Sequence, residues 1–143
     1  MAIIRESIDI NQPVDKVFAY TLDVKSWPKW QATVTDSEQT SQGQFGIGTT
    51  FKWVTKAMGL KMKTTAKVTE YEANKKWSKT IVAGSTVIDD RLTFETVPGG
   101  TRFTLQYDTK VGGLFKPFSA MVVSSTRKSM IAALADIKRI LEA

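Results

Sequence analysis

The sequence contains neither cysteine nor histidine. Without cysteine, disulfides and thiol catalysis are excluded, and the redox compartment is left open. Without histidine, the commonest general base near neutral pH and the commonest transition-metal ligand are both missing, so a serine–histidine triad or a histidine zinc site is impossible. Carboxylate, lysine and tyrosine mechanisms remain available, and neither a metal nor a cofactor is expected. Long hydrophobic runs are lacking as well. Met1 to Arg5 is only briefly apolar before Glu6, and nothing approaches the roughly 20 apolar residues of a membrane span. The expectation is a soluble, cytoplasmic protein with no stable membrane insertion.

A length of 143 residues suits one domain spanning 1–143, long enough to bury a core without metals or disulfides. The net charge is +6. Its excess lies between Lys52 and Lys79, where Lys52, Lys56, Lys61, Lys63, Lys67, Lys75, Lys76 and Lys79 face only Glu70 and Glu72. These lysines alternate with inward residues, which reads as the solvated face of a sheet that also discourages edge pairing. A patch for anionic lipid, nucleic acid or an acidic partner is the alternative. No nucleic-acid motif accompanies the lysines, so nucleic acid is not expected as a partner, while a protein partner is possible.

Hydrophobic periodicity divides the chain. Ala2 to Ile10 alternates, with Ile4, Ile8 and Ile10 on one side, as in a half-buried strand. In "NQPVDKVFAYTL" Pro13 suits a first helical turn, and Val14, Val17, Phe18 and Leu22 form one stripe. Asp23 or Ser26 can start a second short helix, which Pro28 is expected to end. From Thr33 onward strands alternate with turn signals: "GQFGIGT", Gly59, Asn74, Gly84–Ser85 and "VPGGT" at 97–101. Seven strands result.

After Gly112 and Gly113 the period becomes helical, from Phe115 to Glu142, with Phe118, Val122, Met130, Leu134, Ile137 and Leu141 on one face. A helix of about 26 residues would run roughly 39 Å, long enough to cross a sheet. The order of elements describes an α+β layer in which a curved sheet wraps the terminal helix. Within that helix "SSTRKS", residues 124–129, is small and polar. Either its hydroxyls bond back to helix carbonyls, or its small side chains leave a void with Arg127 as a polar anchor.

"IDINQPVDKVFAYTLDVKSWPKW" resembles the amino-terminal signature of the START-like (SRPBCC) superfamily, which includes polyketide cyclases and dehydratases, lipid-transfer domains and the birch-pollen-allergen-like proteins. The resemblance rests on Ile8, Ile10, Pro13, Val17, Phe18, Asp23, Trp27 and Trp30, and continues in "GIGT" at 46–49, "VTEYE" at 68–72, "GGTRFTL" at 99–105 and "LADIKRILE" at 134–142. These motifs are structural. They imply the helix-grip fold: a seven-stranded curved antiparallel sheet around a long C-terminal helix, two short helices between strands 1 and 2, and a cavity that takes apolar molecules. Trp27 and Trp30 then form part of a gate beside that cavity, with Trp30 packing structurally and Trp27 nearer the entrance.

Strand parity selects the cavity wall. Glu6 shares a face with Ile8 and Ile10; Ile88 and Asp90 with Leu92 and Phe94; Phe103, Leu105 and Tyr107 share another. Phe51, Trp53 and Met62 are further wall candidates, with Val122, Arg127 and Met130 on the helix. An inward Glu6 or Asp90 is costly unless paired, which marks both as polar features of a site and as candidate catalytic carboxylates.

Three functions remain open: carriage of a small hydrophobic molecule, a cyclase, aromatase or dehydratase, and a protein-interaction module using the basic strands. In the enzyme, Glu6 or Asp90 moves protons while Tyr107 or Arg127 stabilises an enolate.

Overall fold

The computed structural model describes residues 2–57, 59–110 and 119–143. Strand β1 (Ala2–Ile10) leads into helix α1 (Val14–Leu22), a 3-10 turn (Val24–Ser26) and helix α2 (Trp27–Trp30). Six strands follow: β2 (Val34–Gln39), β3 (Thr50–Ala57), β4 (Leu60–Glu72), β5 (Lys76–Ala83), β6 (Thr86–Val97) and β7 (Gly100–Lys110). Helix α3 (Ser119–Glu142) closes the chain. The strands form one antiparallel sheet in the order β1-β7-β6-β5-β4-β3-β2. This is the α+β helix-grip arrangement expected from the sequence. Phe115, Pro117 and Phe118, assigned to the long helix, lie outside the described residues.

Local chemistry accounts for the corners. The Asp23 side chain accepts the Lys25 backbone N–H at 3.2 Å and so caps the 3-10 turn. Pro28 corrects its expected role: it sits in the first turn of α2, where its missing N–H has no helical partner to lose, so it begins this helix instead of ending it. Between β6 and β7, Pro98 and Gly99 make the turn, and Gly99 takes a φ of +86°, which fits a type II turn. Gly100 follows because a Cβ there would collide with the Ile10 carbonyl of β1.

Helix α3 runs beside β1 in the same direction. Arg127 bonds Glu6 at 2.8 Å, Lys138 Nζ donates to the Asp9 carbonyl at 2.6 Å, and the Asn11 N–H donates to Glu142 at 2.8 Å. Met130, Leu134 and Ile137 are buried, while Val122 and Leu141 are half-buried. Met130, Leu134, Ile137 and Leu141 join Ile4, Ile10, Phe103, Leu105, Leu92 and Phe94 in one core. In "SSTRKS", Thr126 donates to the Val122 carbonyl at 2.8 Å and Ser129 to that of Ser125 at 3.1 Å. These two hydroxyls therefore find their acceptors within the helix.

Candidate functional site

Antiparallel register arranges inward side chains in rows across the sheet. One row runs Ile4–Tyr107–Asp90–Lys79–Val68 over β1, β7, β6, β5 and β4. The next runs Glu6–Leu105–Leu92–Trp77–Tyr71. Period-2 geometry makes members of a row near neighbours. The first row thus carries a lysine, a carboxylate and a phenol side by side among apolar residues.

Lys79 and Asp90 form a buried ion pair with Nζ and Oδ2 2.7 Å apart and side chains 5% and 3% exposed. The Lys79 ammonium also stands 4.5 Å from the Trp77 ring centroid and 5.1 Å from that of Trp27, within cation–π range. Burial pushes the Asp90 carboxyl above the usual range, against the pull of the adjacent ammonium. The Tyr107 phenol is held well above its ordinary value by burial and by the Asp90 charge. Asp90 Oδ1 is buried without a hydrogen-bond partner among the described residues. Lys79 corrects the reading of the basic run: the other seven lysines are exposed, but this one turns inward with Trp77.

Around the pair stands a group of rings. Trp27 packs on Phe51 at 4.8 Å, on Trp53 edge-on at 5.7 Å and nearly parallel to Trp77 at 6.2 Å between centroids. Phe45, from the glycine-rich loop, meets Trp77 at 4.9 Å. Hydrogen bonds fix the indoles: Trp27 Nε1 donates to the Thr21 carbonyl at 2.9 Å, and Trp77 Nε1 to the Thr21 hydroxyl at 3.0 Å. That hydroxyl in turn donates to the Phe18 carbonyl at 2.7 Å. Thr21→Val is expected to lower stability by about 1–3 kcal/mol, because it strands a buried indole N–H. Thr21→Ser should recover most of that loss, and urea unfolding of both variants checks it.

The structure buries Trp27 and Trp30 alike, at 1% and 2% exposure. The expected contrast between an entrance Trp27 and a structural Trp30 is therefore absent from their burial. Trp30 packs on Phe103, whose ring also stacks on Phe94. Phe51, Trp53, Phe103, Leu105 and Met130 are buried, and Met62, Tyr107 and Val122 are half-buried. Glu6 faces inward as parity requires and is paired with the exposed Arg127. The two candidate carboxylates are not in contact: β7 separates β1 from β6, placing Glu6 about 10 Å away laterally from Asp90 by strand spacing alone.

Sequence reasoning missed Lys79, Phe45, Thr21 and Trp77 as members of this site. Trp77, Ser78 and Lys79 are consecutive and all buried, which hides their parity. Ser78 is covered on the outer face, where it donates to Glu70 at 3.1 Å.

On that outer face lies a separate concavity of about 470 Å³, lined by residues that include Glu70, Ser78, Thr80, Asp89, Arg91 and Asp108. Its polar walls suit water better than an apolar guest. No metal-holding group of three or more acidic side chains occurs among the described residues. Nor is any described helix long and apolar enough to cross a membrane.

A seven-stranded sheet gripping a terminal helix, with a polar pair set in an aromatic interior, defines a helix-grip protein. The chain belongs to the polyketide cyclase / dehydrase and lipid transport family, whose model matches residues 1–142. No protein with a curated description matches it. Among solved structures it is similar to a protein from Thermus thermophilus, at 16% identity and a TM-score of 0.83, covering 99% of this chain and 97% of that one. The Zhui aromatase/cyclase of Streptomyces sp. R1128 superposes with a TM-score of 0.79 at 14% identity, over 99% and 93% of the two chains. A START superfamily protein from Mycobacterium smegmatis gives 0.77 at 12% identity, over 98% and 97%. At such identities these likenesses speak for the fold.

Proposed function

We propose that this single START-like domain binds a small hydrophobic molecule between the sheet and the amino-terminal half of α3. The observation that carries this reading is incomplete burial of inward-facing residues. Tyr107, Ile88 and Val123 pack against the core yet are only half-buried, and Glu6 keeps 27% exposure despite facing in. Elsewhere the interior is closed by Trp27, Phe51, Trp53 and Trp77. A mostly apolar wall with few placed polar groups is what small-molecule sites present. Tyr107, Asp90 and Leu105 from the sheet and Val122, Arg127 and Met130 from the helix are its proposed contacts. Phe51, Trp53, Trp27, Met62 and Phe103 complete the wall behind them.

A second reading, a cyclase or dehydratase, is favoured by one observation: Asp90 is buried beside Tyr107 with its carboxyl pushed upward, which suits a proton-transferring group. It differs from carriage in requiring that the bound molecule be changed.

Native mass spectrometry of protein purified from its own host, followed by extraction, should recover an apolar molecule at close to one per chain. Protein that arrives empty and binds no apolar probe at micromolar concentration overturns the binding reading.

A further inference from the structure

We propose that the ligand is an uncharged hydroxyl-bearing apolar molecule, a phenol, enol or alcohol, whose O–H donates to Asp90 Oδ1. This inference rests on the binding site proposed above and specifies the chemistry of its guest.

Three observations lead to it. Asp90 is 2% exposed, its Oδ2 is taken by Lys79, and its Oδ1 is buried with no partner among the described residues. An ionised carboxylate accepts on both oxygens, and a buried acceptor left unmade is a large local cost. The missing partner must therefore be a donor.

The neighbours narrow what kind of donor. Tyr107 stands directly opposite Asp90 on β7 and Ile88 lies two residues before it on β6. Both are half-buried, so packing is less complete on this side. Lys79, Trp77 and Trp27 close the other side. A cationic guest would compete with an ammonium already 2.7 Å from the carboxylate, and an anionic guest would meet the carboxylate itself. A neutral O–H on an apolar body meets neither penalty. The aromatic surroundings favour a flat body that lies against rings.

The Lys79 side chain contributes by position. Its bond to Oδ2 and its place beside two indoles hold the carboxylate in one orientation, with Oδ1 shut off from water.

Three probes of nearly equal shape test this: 2-naphthol, its methyl ether 2-methoxynaphthalene, and naphthalene, each titrated against the intact protein with tryptophan fluorescence as the readout. The naphthol should bind about tenfold or more tightly than the ether, the scale of a hydrogen bond to a charged acceptor. In the double variant Lys79→Met with Asp90→Leu, the preference of naphthol over ether should fall to within about twofold, whatever common change the altered wall makes to the binding of all three probes. Equal binding of naphthol and ether to the wild-type protein overturns the inference and leaves the apolar site standing. A preference that persists in a folded double variant also overturns it, since the donor is then read elsewhere. Failure of all three probes to bind overturns this inference together with the site. The wild-type comparison needs no variant, so equal binding of naphthol and ether overturns the inference even if the double variant does not fold.

Discussion

Lys79→Met is expected to destabilise the protein by about 3–5 kcal/mol at neutral pH, the usual loss when one member of a buried ion pair is removed. The single variant leaves Asp90 with no adjacent ammonium in an apolar surround. Replacing Asp90 by leucine in the same chain should restore stability to the wild-type level or above it, because well-packed apolar residues often match a buried pair.

The pH dependence carries the sign. In the wild-type protein burial already raises the Asp90 carboxyl, and the Lys79 ammonium draws it back down. Without Lys79 the folded-state value rises further above the unfolded one. A carboxyl raised on folding favours the native state below its unfolded value, about pH 4, and that stability is lost as pH increases through the folded value. Lys79→Met should therefore be most stable in mild acid and weaken toward neutrality, while the double variant shows no such decline over that window. Urea midpoints at a series of pH values read both. A single variant as stable as the wild type at pH 7 would show that Asp90 does not depend on Lys79.

The second large effect is expected at Trp27. Trp27→Ala should cost about 3–5 kcal/mol, the range for truncating a buried aromatic residue. Its ring touches Phe51, Trp53, Trp77 and the Lys79 ammonium at once, so the void cannot be closed by one neighbour moving. Against the 5–15 kcal/mol typical of a whole domain, such a loss brings the fold near its threshold. Trp27→Phe keeps a ring against Phe51 and Trp53 but gives up the bond to the Thr21 carbonyl, and should retain roughly half of that stability. A loss below about 1 kcal/mol for the alanine variant would mean that Trp27 lies at the surface.

Much of the architecture was legible because strands and helices write their periods into the chain. β1 and β7 pair without a register shift, so Ile4, Glu6, Ile10, Phe103 and Leu105 were placed on the right face. The same rule put Asp90 inside with Leu92 and Phe94. Parity failed where the backbone departs from it. A register shift between Val68 and Glu70 disturbs the β4–β5 pairing, and beside it three successive residues are buried on both faces. Lys79 was consequently grouped with lysines that face water.

Leu60 shows the opposite limit: its position in the alternation is inward, yet at the hairpin tip it is 57% exposed. Glu6 and Arg127 were each singled out, but their pairing joins residues 121 apart, a relation that only tertiary packing creates. Phe45 was hidden for a similar reason, since a glycine-rich loop has no period from which an inward ring can be read.

The sheet is open, and both its outermost strands carry obstacles to a further strand from another molecule. Strand β2 is six residues long, its pairing slips between Thr35 and Glu38, and Asp36 takes a φ of +54°. A bulge with a left-handed residue breaks the straight rank of amide and carbonyl groups that an incoming strand needs. At the other margin α3 runs beside β1, and Asp9 and Arg102 bond across the outer face at 2.9 Å. The irregularity of β2 at one margin and the helix beside β1 at the other thus guard the sheet against aggregation through its edges.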